Sequence, residues 1–260
     1  MKTTHFLIGL LAGTALGGAV VAATGTTTHS ASGASGLSRD EIQQIVRDTI
    51  SNEPQLILDS VQKFQQGQRN AAMGKANESL KNSDVRAAIF NNEQLAIGGN
   101  KNGTHVVAEF FDYDCPVCKT QFKVLAEMLK KDPELKIVFH EFPIFGPVSE
   151  ENSRIGLAVT KLYPEKYYAF HEKMMGGEGH QKTTKRTYEI LKELGMDEAK
   201  IKTSSNSEEI IKQLADSRAL GEKLSIQGTP ALIIGDEITP HFLPEEELQA
   251  KFAAPANAAK

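Results

Sequence analysis

From Ser38 to Leu80 the apolar residues recur at helical spacing. Ser38 and Glu41 make a capping box, and Ile42, Ile45, Val46 and Ile50 follow at helical intervals. Asn52-Glu53-Pro54 ends that helix and opens another, because proline fits a first turn, where its missing N–H has no partner to lose. Ile57, Val61 and Phe64 prolong the stripe. Residues 65–81 are polar apart from Ala72, Ala76 and Leu80, and Gly74 weakens the helix enough to serve as a hinge. So narrow a stripe makes no core by itself. Each Ile, Val or Phe left in water forgoes about 1.5–3 kcal/mol. The stripe is therefore expected to pack on a second copy of the chain, with the polar stretch as a spacer. Folding back onto the rest of the chain is the alternative.

Beyond it the period changes. Asn82 or Ser83 can cap a short helix ending near Phe90, and residues 98–103, Gly-Gly-Asn-Lys-Asn-Gly, read as a turn. Residues 105–111 form a near-continuous apolar run of strand length, the pattern of a strand buried on both faces. Residues 121–130 place Phe122, Leu125, Ala126 and Leu129 on one helical face, Asp132-Pro133 breaks it, and residues 135–142 are the next strand. Strands that bracket a helix are expected to be parallel. Residues 149–224 are helical in four pieces: 149–162, 165–175, 185–194 and 207–224. Residues 231–234 are a short buried strand, Gly235-Asp236 a hairpin turn into 237–239, and 244–252 a closing helix with an acidic first turn. The layout is α/β with an inserted helical subdomain.

The chain starts differently. After Lys2 and His5, residues 6–23 are apolar and rich in Gly and Ala, and Val21-Ala22-Ala23 offers small residues for cleavage. Residues 1–23 read as a signal peptide; a retained anchor is the alternative, the stretch being near the lower length limit for a span. Residues 24–37 are a flexible Thr/Ser/Gly/Ala linker, 38–82 a helical oligomerisation region, 83–252 the folded domain and 253–260 a loose tail. A chain 40% hydrophobic and 24% charged fits a globular protein, not a disordered one. A net charge of −4 with no basic block offers no track for a phosphate backbone, so no nucleic-acid partner is expected.

Export changes the meaning of the two cysteines, Cys115 and Cys118. An oxidising compartment lets them form a disulfide. So small a loop removes little chain entropy, and a domain of this size has core enough without it. Reactivity explains the pair better than stability. Cys115 falls where a strand gives way to a helix, whose free N–H groups and positive end favour a thiolate. Thiols in such C-x-x-C positions have pKa values of roughly 3.5–7.5. Pro116 suits the first helical turn, and Cys118 lies on the same face within bridging reach. Cys115 is expected to be the exposed attacker and Cys118 the buried resolving thiol. Half of a metal site is the competing reading, but a closed site needs further ligands, and the histidines at 105, 140, 171, 180 and 241 are scattered. His171 and His180, near Met174-Met175, read as part of a surface loop of the insertion. No metal and no cofactor is expected.

The run from Glu109 to Lys119, Glu-Phe-Phe-Asp-Tyr-Asp-Cys-Pro-Val-Cys-Lys, resembles the DsbA family of thioredoxin-fold proteins, in particular its ScsC-like branch. Gly228-Thr229-Pro230 resembles the family's cis-proline loop, and Ile45-Val46-Arg47 through Asn52-Glu53-Pro54 its oligomerising stalk. The resemblance spans roughly residues 38–252. It implies a thioredoxin-like fold with an N-terminal helical stalk, and an exported, periplasmic thiol–disulfide oxidoreductase that forms or isomerises disulfides. Cys115 would form the mixed disulfide and Cys118 resolve it. A cis Pro230 would present the Thr229 backbone to the substrate chain. Glu109 matches a buried acid that accepts the Cys118 proton; an ordinary strand carboxylate facing water is the alternative. Val117 stands where the strongest oxidases of the family carry His, which implies a less stabilised thiolate and a less oxidising disulfide. The implied partners are exported cysteine-containing proteins, a membrane redox partner of DsbB-like or DsbD-like type, and further copies of the chain as a homodimer or homotrimer. A metal-binding or chaperone-like module remains the alternative function.

Overall fold

The computed structural model describes residues 36–177 and 183–253. The expected signal peptide, most of the linker, His180 and residues 254–260 lie outside them. The described residues divide into two compact units, one ending at Ile57 and one beginning at Leu58. In the first, helix α1 (Arg39–Asn52) starts at Ser38, whose hydroxyl accepts the Glu41 amide while the Glu41 carboxylate accepts the Ser38 amide. α1 buries none of its residues, and Ile42, Ile45, Val46 and Ile50 are each about half exposed. Helix α2 (Pro54–Ser79) begins at the proline, as expected. It runs unbroken through Gly74, so the expected hinge is absent. A single glycine costs about 1 kcal/mol, too little to end a helix whose next turns are buried.

Those next turns belong to the second unit. Met73, Ala76 and Leu80 pack with Val85 and Ile89 of helix α3 (Ser83–Phe90), whose cap is Asn82. The Asn77 side chain also accepts the Ile238 amide at 3.2 Å. The end of the expected spacer is therefore part of the domain core.

Five strands make one sheet in the order β1-β3-β2-β4-β5. They are β1 (Ala96–Gly99), β2 (His105–Phe111), β3 (Leu135–Glu141), β4 (Ala231–Ile234) and β5 (Glu237–Thr239). β2 and β3 are parallel, with Phe111 beside Glu141, and helix α4 (Pro116–Lys131) connects them. β4 runs antiparallel to β2 and sets Ala231 beside Phe110. Both faces are covered, which is why β2 is apolar nearly throughout. Ala108 and Phe110 meet the end of α2 and α3; Val107 and Phe111 meet the α4 side, where both cysteines lie. Alternation puts Glu109 on that second face.

β1 corrects the turn expected at Gly98-Gly99. Both residues pair with β3, and a Cβ on Gly98 would stand 3.0 Å from the Phe139 ring. Four residues with two glycines carry no alternation to read. The insertion comprises α5 (Pro147–Leu162), a 3-10 turn at Pro164–Lys166, α6 (Tyr167–Met175), α7 (Lys185–Glu193), α8 (Glu198–Ser205) and α9 (Glu208–Lys223). α8 was not expected: it buries only Ile201 and Ser205, and its start is set by the Asp197 cap. Helix α10 (Glu245–Ala253) closes the chain. The architecture is thioredoxin-like α/β with a helical insertion between β3 and β4.

Candidate active site

β2 turns at Asp112-Tyr113-Asp114 and enters α4 at Cys115. Asp112 organises the turn. Its carbonyl accepts the Cys115 amide at 3.1 Å, and its buried carboxylate accepts the amides of Asp114, Ile144 and Phe145 and the Ser149 hydroxyl. Ile144 and Phe145, each 45% exposed, are thereby tied to the cysteine turn.

Cys115 is the N-cap of α4, and the Cys118 amide donates to its sulfur at 3.3 Å. A hydrogen bond from the Cys118 side chain, with the Thr229 side chain and the helix-start amides, pulls the Cys115 pKa down to about 6 against the opposing effect of burial. Burial pushes the Cys118 thiol far up, and Cys115 beside it adds to the rise. One helical turn thus separates a thiolate from a thiol. Both cysteines are free here; the expected Cys115–Cys118 disulfide is the oxidised form of the same pair.

The exposed attacker is a correction. Cys115 is only 2% exposed, while Val117 is 45% exposed. The Thr229-Pro230 turn contributes the cover, with Sγ donating to the Thr229 carbonyl at 3.2 Å across a cis peptide bond between those two residues. Lys119, mostly buried, is destabilised as a cation by burial but held by Asp114, Cys115 and Asp112. It adds positive charge where the thiolate forms.

Glu109 does not face water. It is fully buried, neither carboxyl oxygen has a hydrogen-bond partner among the described residues, and burial, aided by the charge on Cys115, pushes its pKa up to about 8. Such a group can hold or take a proton near neutral pH. His171 is a second correction: it lies on α6, not on a surface loop, among the rings of Phe111, Phe122 and Phe139, and burial pulls its pKa down to about 3. Among the described residues no group of three or more His, Cys, Asp or Glu stands ready for a metal ion. Sequence reasoning missed Asp112, Tyr113 and Glu141. The available signal was two acids at the ends of apolar strands that pair in register.

Comparison with known proteins gives the following. The family profile described as Thioredoxin matches residues 91–252. The profile described as the copper resistance protein ScsC N-terminal domain matches residues 39–71. The Disulfide bond formation protein D of Bacillus subtilis (strain 168) is 26% identical over 160 residues, covering 58% of this chain and 72% of that protein. A periplasmic thioredoxin-like protein from Salmonella enterica serovar Typhimurium superposes with a TM-score of 0.61 at 27% identity, covering 66% of this chain and 98% of the other. The catalytic domain of Proteus mirabilis ScsC superposes with a TM-score of 0.59 at 26% identity, covering 68% and 96%.

Proposed function

Since the chain belongs to the DsbA family of thioredoxin-fold thiol–disulfide oxidoreductases, in its ScsC-like branch, we propose that it is exported to the periplasm and forms or isomerises disulfides there through Cys115 and Cys118. The observation that carries this reading is the contrast between the two sulfurs: Cys115 is stabilised as a thiolate at about 6, and Cys118, one turn on, is held as a thiol.

The chemistry follows from that contrast. The Cys115 thiolate attacks a substrate disulfide, one S–S bond forms as another breaks, and the departing substrate sulfur leaves as a thiolate. Forming the mixed disulfide removes the Cys115 charge that helps hold Glu109 protonated, so that Glu109 can ionise and take the Cys118 proton as Cys118 attacks the Cys115 sulfur. The substrate leaves reduced, and the protein keeps the Cys115–Cys118 disulfide. Run in reverse, the same steps oxidise a substrate dithiol, and resolution by a second substrate thiol reshuffles one. The Thr229 backbone beside Pro230 pairs with the substrate chain, and half-exposed Ile144, Phe145 and Val117 suit an apolar client segment. The Val117 side chain gives the thiolate no charge or hydrogen bond, which favours a moderate over an extreme oxidant and an isomerase role beside oxidation. Exported cysteine-containing proteins are the substrates, and a DsbB-like or DsbD-like membrane protein resets the redox state. The apolar start of the chain and the periplasmic structural relative support export; among the described residues no helix is long and apolar enough to cross a membrane. The uncovered stripe of α1 supports a homodimer or homotrimer.

Cysteine substitution tests the reading directly. Cys115→Ser is expected to abolish insulin reduction and scrambled-ribonuclease reactivation. Cys118→Ala is expected to accumulate mixed disulfides, seen as reducible adducts on gels. Retained activity in the first variant, or no adducts in the second, refutes the assignment.

A further inference from the structure

Glu141 ends β3 where an acid has no ordinary reason to be. It is 3% exposed and lies beside Phe111, the last residue before the cysteine turn. Its Oε1 accepts the Tyr113 hydroxyl at 2.9 Å, and its Oε2 has no hydrogen-bond partner among the described residues. Burial keeps this carboxyl protonated far above the usual carboxylate range, with Ser153, Tyr167 and Asp112 as its polar surroundings. Burial likewise keeps the Tyr113 phenol neutral. A neutral pair of this kind can be buried at far lower cost than a carboxylate.

The surroundings make room for the pair and little else. A Cβ on Gly156 of α5 would stand 2.8 Å from the Tyr113 hydroxyl and collide with the Glu141 carboxyl. The Tyr113 ring is held edge-on by Phe111 at 5.0 Å and Phe170 at 5.9 Å. Two residues further on comes Cys115. The turn from Asp112 to Cys115 is thus pinned by the Asp112 carboxylate on the amides of Ile144 and Phe145, and by Tyr113 on Glu141.

We infer that Glu141 is a positioning residue for Cys115: through the Tyr113 hydroxyl it fixes the depth of the cysteine turn, so that the Cys118 amide meets the Cys115 sulfur. This rests on the thiol–disulfide reading above and deepens it. Glu141 acts through Tyr113 and takes no proton from either cysteine.

The test is an absorbance titration of the Cys115 thiolate in the reduced full-length protein, with thermal unfolding read in parallel. Tyr113→Phe and Glu141→Leu are each expected to raise the midpoint by about one unit, a tenfold loss of thiolate at low pH. The double variant is expected to shift no further, because both substitutions break one bond. Glu141→Gln keeps an oxygen acceptor for the phenol and is expected to titrate like the wild type. Tyr113→Phe keeps the ring and its packing, so a folded variant is assured a reading. If Cys115 in that variant titrates as in the wild type, the inference is overturned whatever the melting temperature. A double variant whose shift is the sum of the two singles overturns it as well. Failure of the functional reading looks different: the wild type would not reduce insulin, while its thiol titration would still respond to the tether.

Discussion

β2 and α1 depart from ordinary burial in opposite directions. Among the described residues, β2 seals the Glu109 carboxyl away from water with no hydrogen-bond partner, and α1 leaves Ile42, Ile45, Val46 and Ile50 half in water. Each arrangement is a cost in the isolated chain. The difference is in what would relieve it. Glu109 needs only a proton, which its pKa of about 8 supplies at neutral pH. α1 needs apolar surface, which another copy of the same stripe would provide. Unrelieved cost in a native structure points to function, and here it supports the proposed catalytic role of Glu109 and the proposed assembly through α1.

The sharpest way to break the comparison is to make the stripe polar. Ile45→Glu, Val46→Glu and Ile50→Glu together are expected to convert the proposed oligomer completely to monomer by light scattering. Insulin reduction per monomer is expected to stay near wild type, since none of the three residues enters the second unit's core. A wild-type protein that is already monomeric would remove the assembly half of the argument. Truncation is a poorer tool if it starts at Ser83, because it removes Ala76 and Leu80 from the domain core.

Glu109→Gln addresses the other side. Losing the proton acceptor is expected to slow resolution of the mixed disulfide about 100-fold, read by single-turnover quench. The same substitution has a signature in stability. Folded Glu109 keeps its proton up to about 8, whereas the unfolded chain releases it near 4.5. Between those values the folded state binds more protons, so stability falls as pH rises. Glu109→Gln is expected to flatten that fall and to raise the melting temperature at pH 8 relative to wild type. A variant slower in resolution but unchanged in pH dependence would assign Glu109 a positioning role instead.

The two regions were not equally legible in the sequence. The α1 cap, its stripe and the start of α2 at Pro54 are local patterns, and the structure follows them residue by residue. The cysteine turn was legible for the same reason: an apolar run, then Cys-Pro at a helix start. The burial of Glu109 followed from its apolar neighbours. What surrounds the turn was not local. The cover on Cys115 comes from Thr229, 114 positions away, and the anchor for Tyr113 depends on the register that sets Phe111 beside Glu141. Gly98-Gly99 looked like a turn because nothing in the residues shows that Phe139 and Tyr168 crowd Gly98 and that Leu129 and Leu135 crowd Gly99. His171 looked like a loop residue because Phe111, Phe139 and Phe122 of β2, β3 and α4 join Tyr167 of its own helix in making its pocket.

The smallest expected effect lies at Ser38. Its reciprocal bonds with Glu41, with the Gln44–Asp48 hydrogen bond further along, are local support for α1, which buries no residue of its own. A helix of 14 residues stands near the margin of stability in water. Ser38→Ala removes the cap, an effect of about fivefold on the helix equilibrium. In the proposed oligomer that should appear as a roughly fivefold weaker association, with helix content unchanged at high protein concentration. In the stripe-to-Glu monomer the same substitution should melt α1 outright and lower the far-ultraviolet helix signal. If capping mattered equally in both backgrounds, α1 would owe nothing to a partner chain, and the contrast between a stripe awaiting a chain and a carboxyl awaiting a proton would collapse to the carboxyl alone.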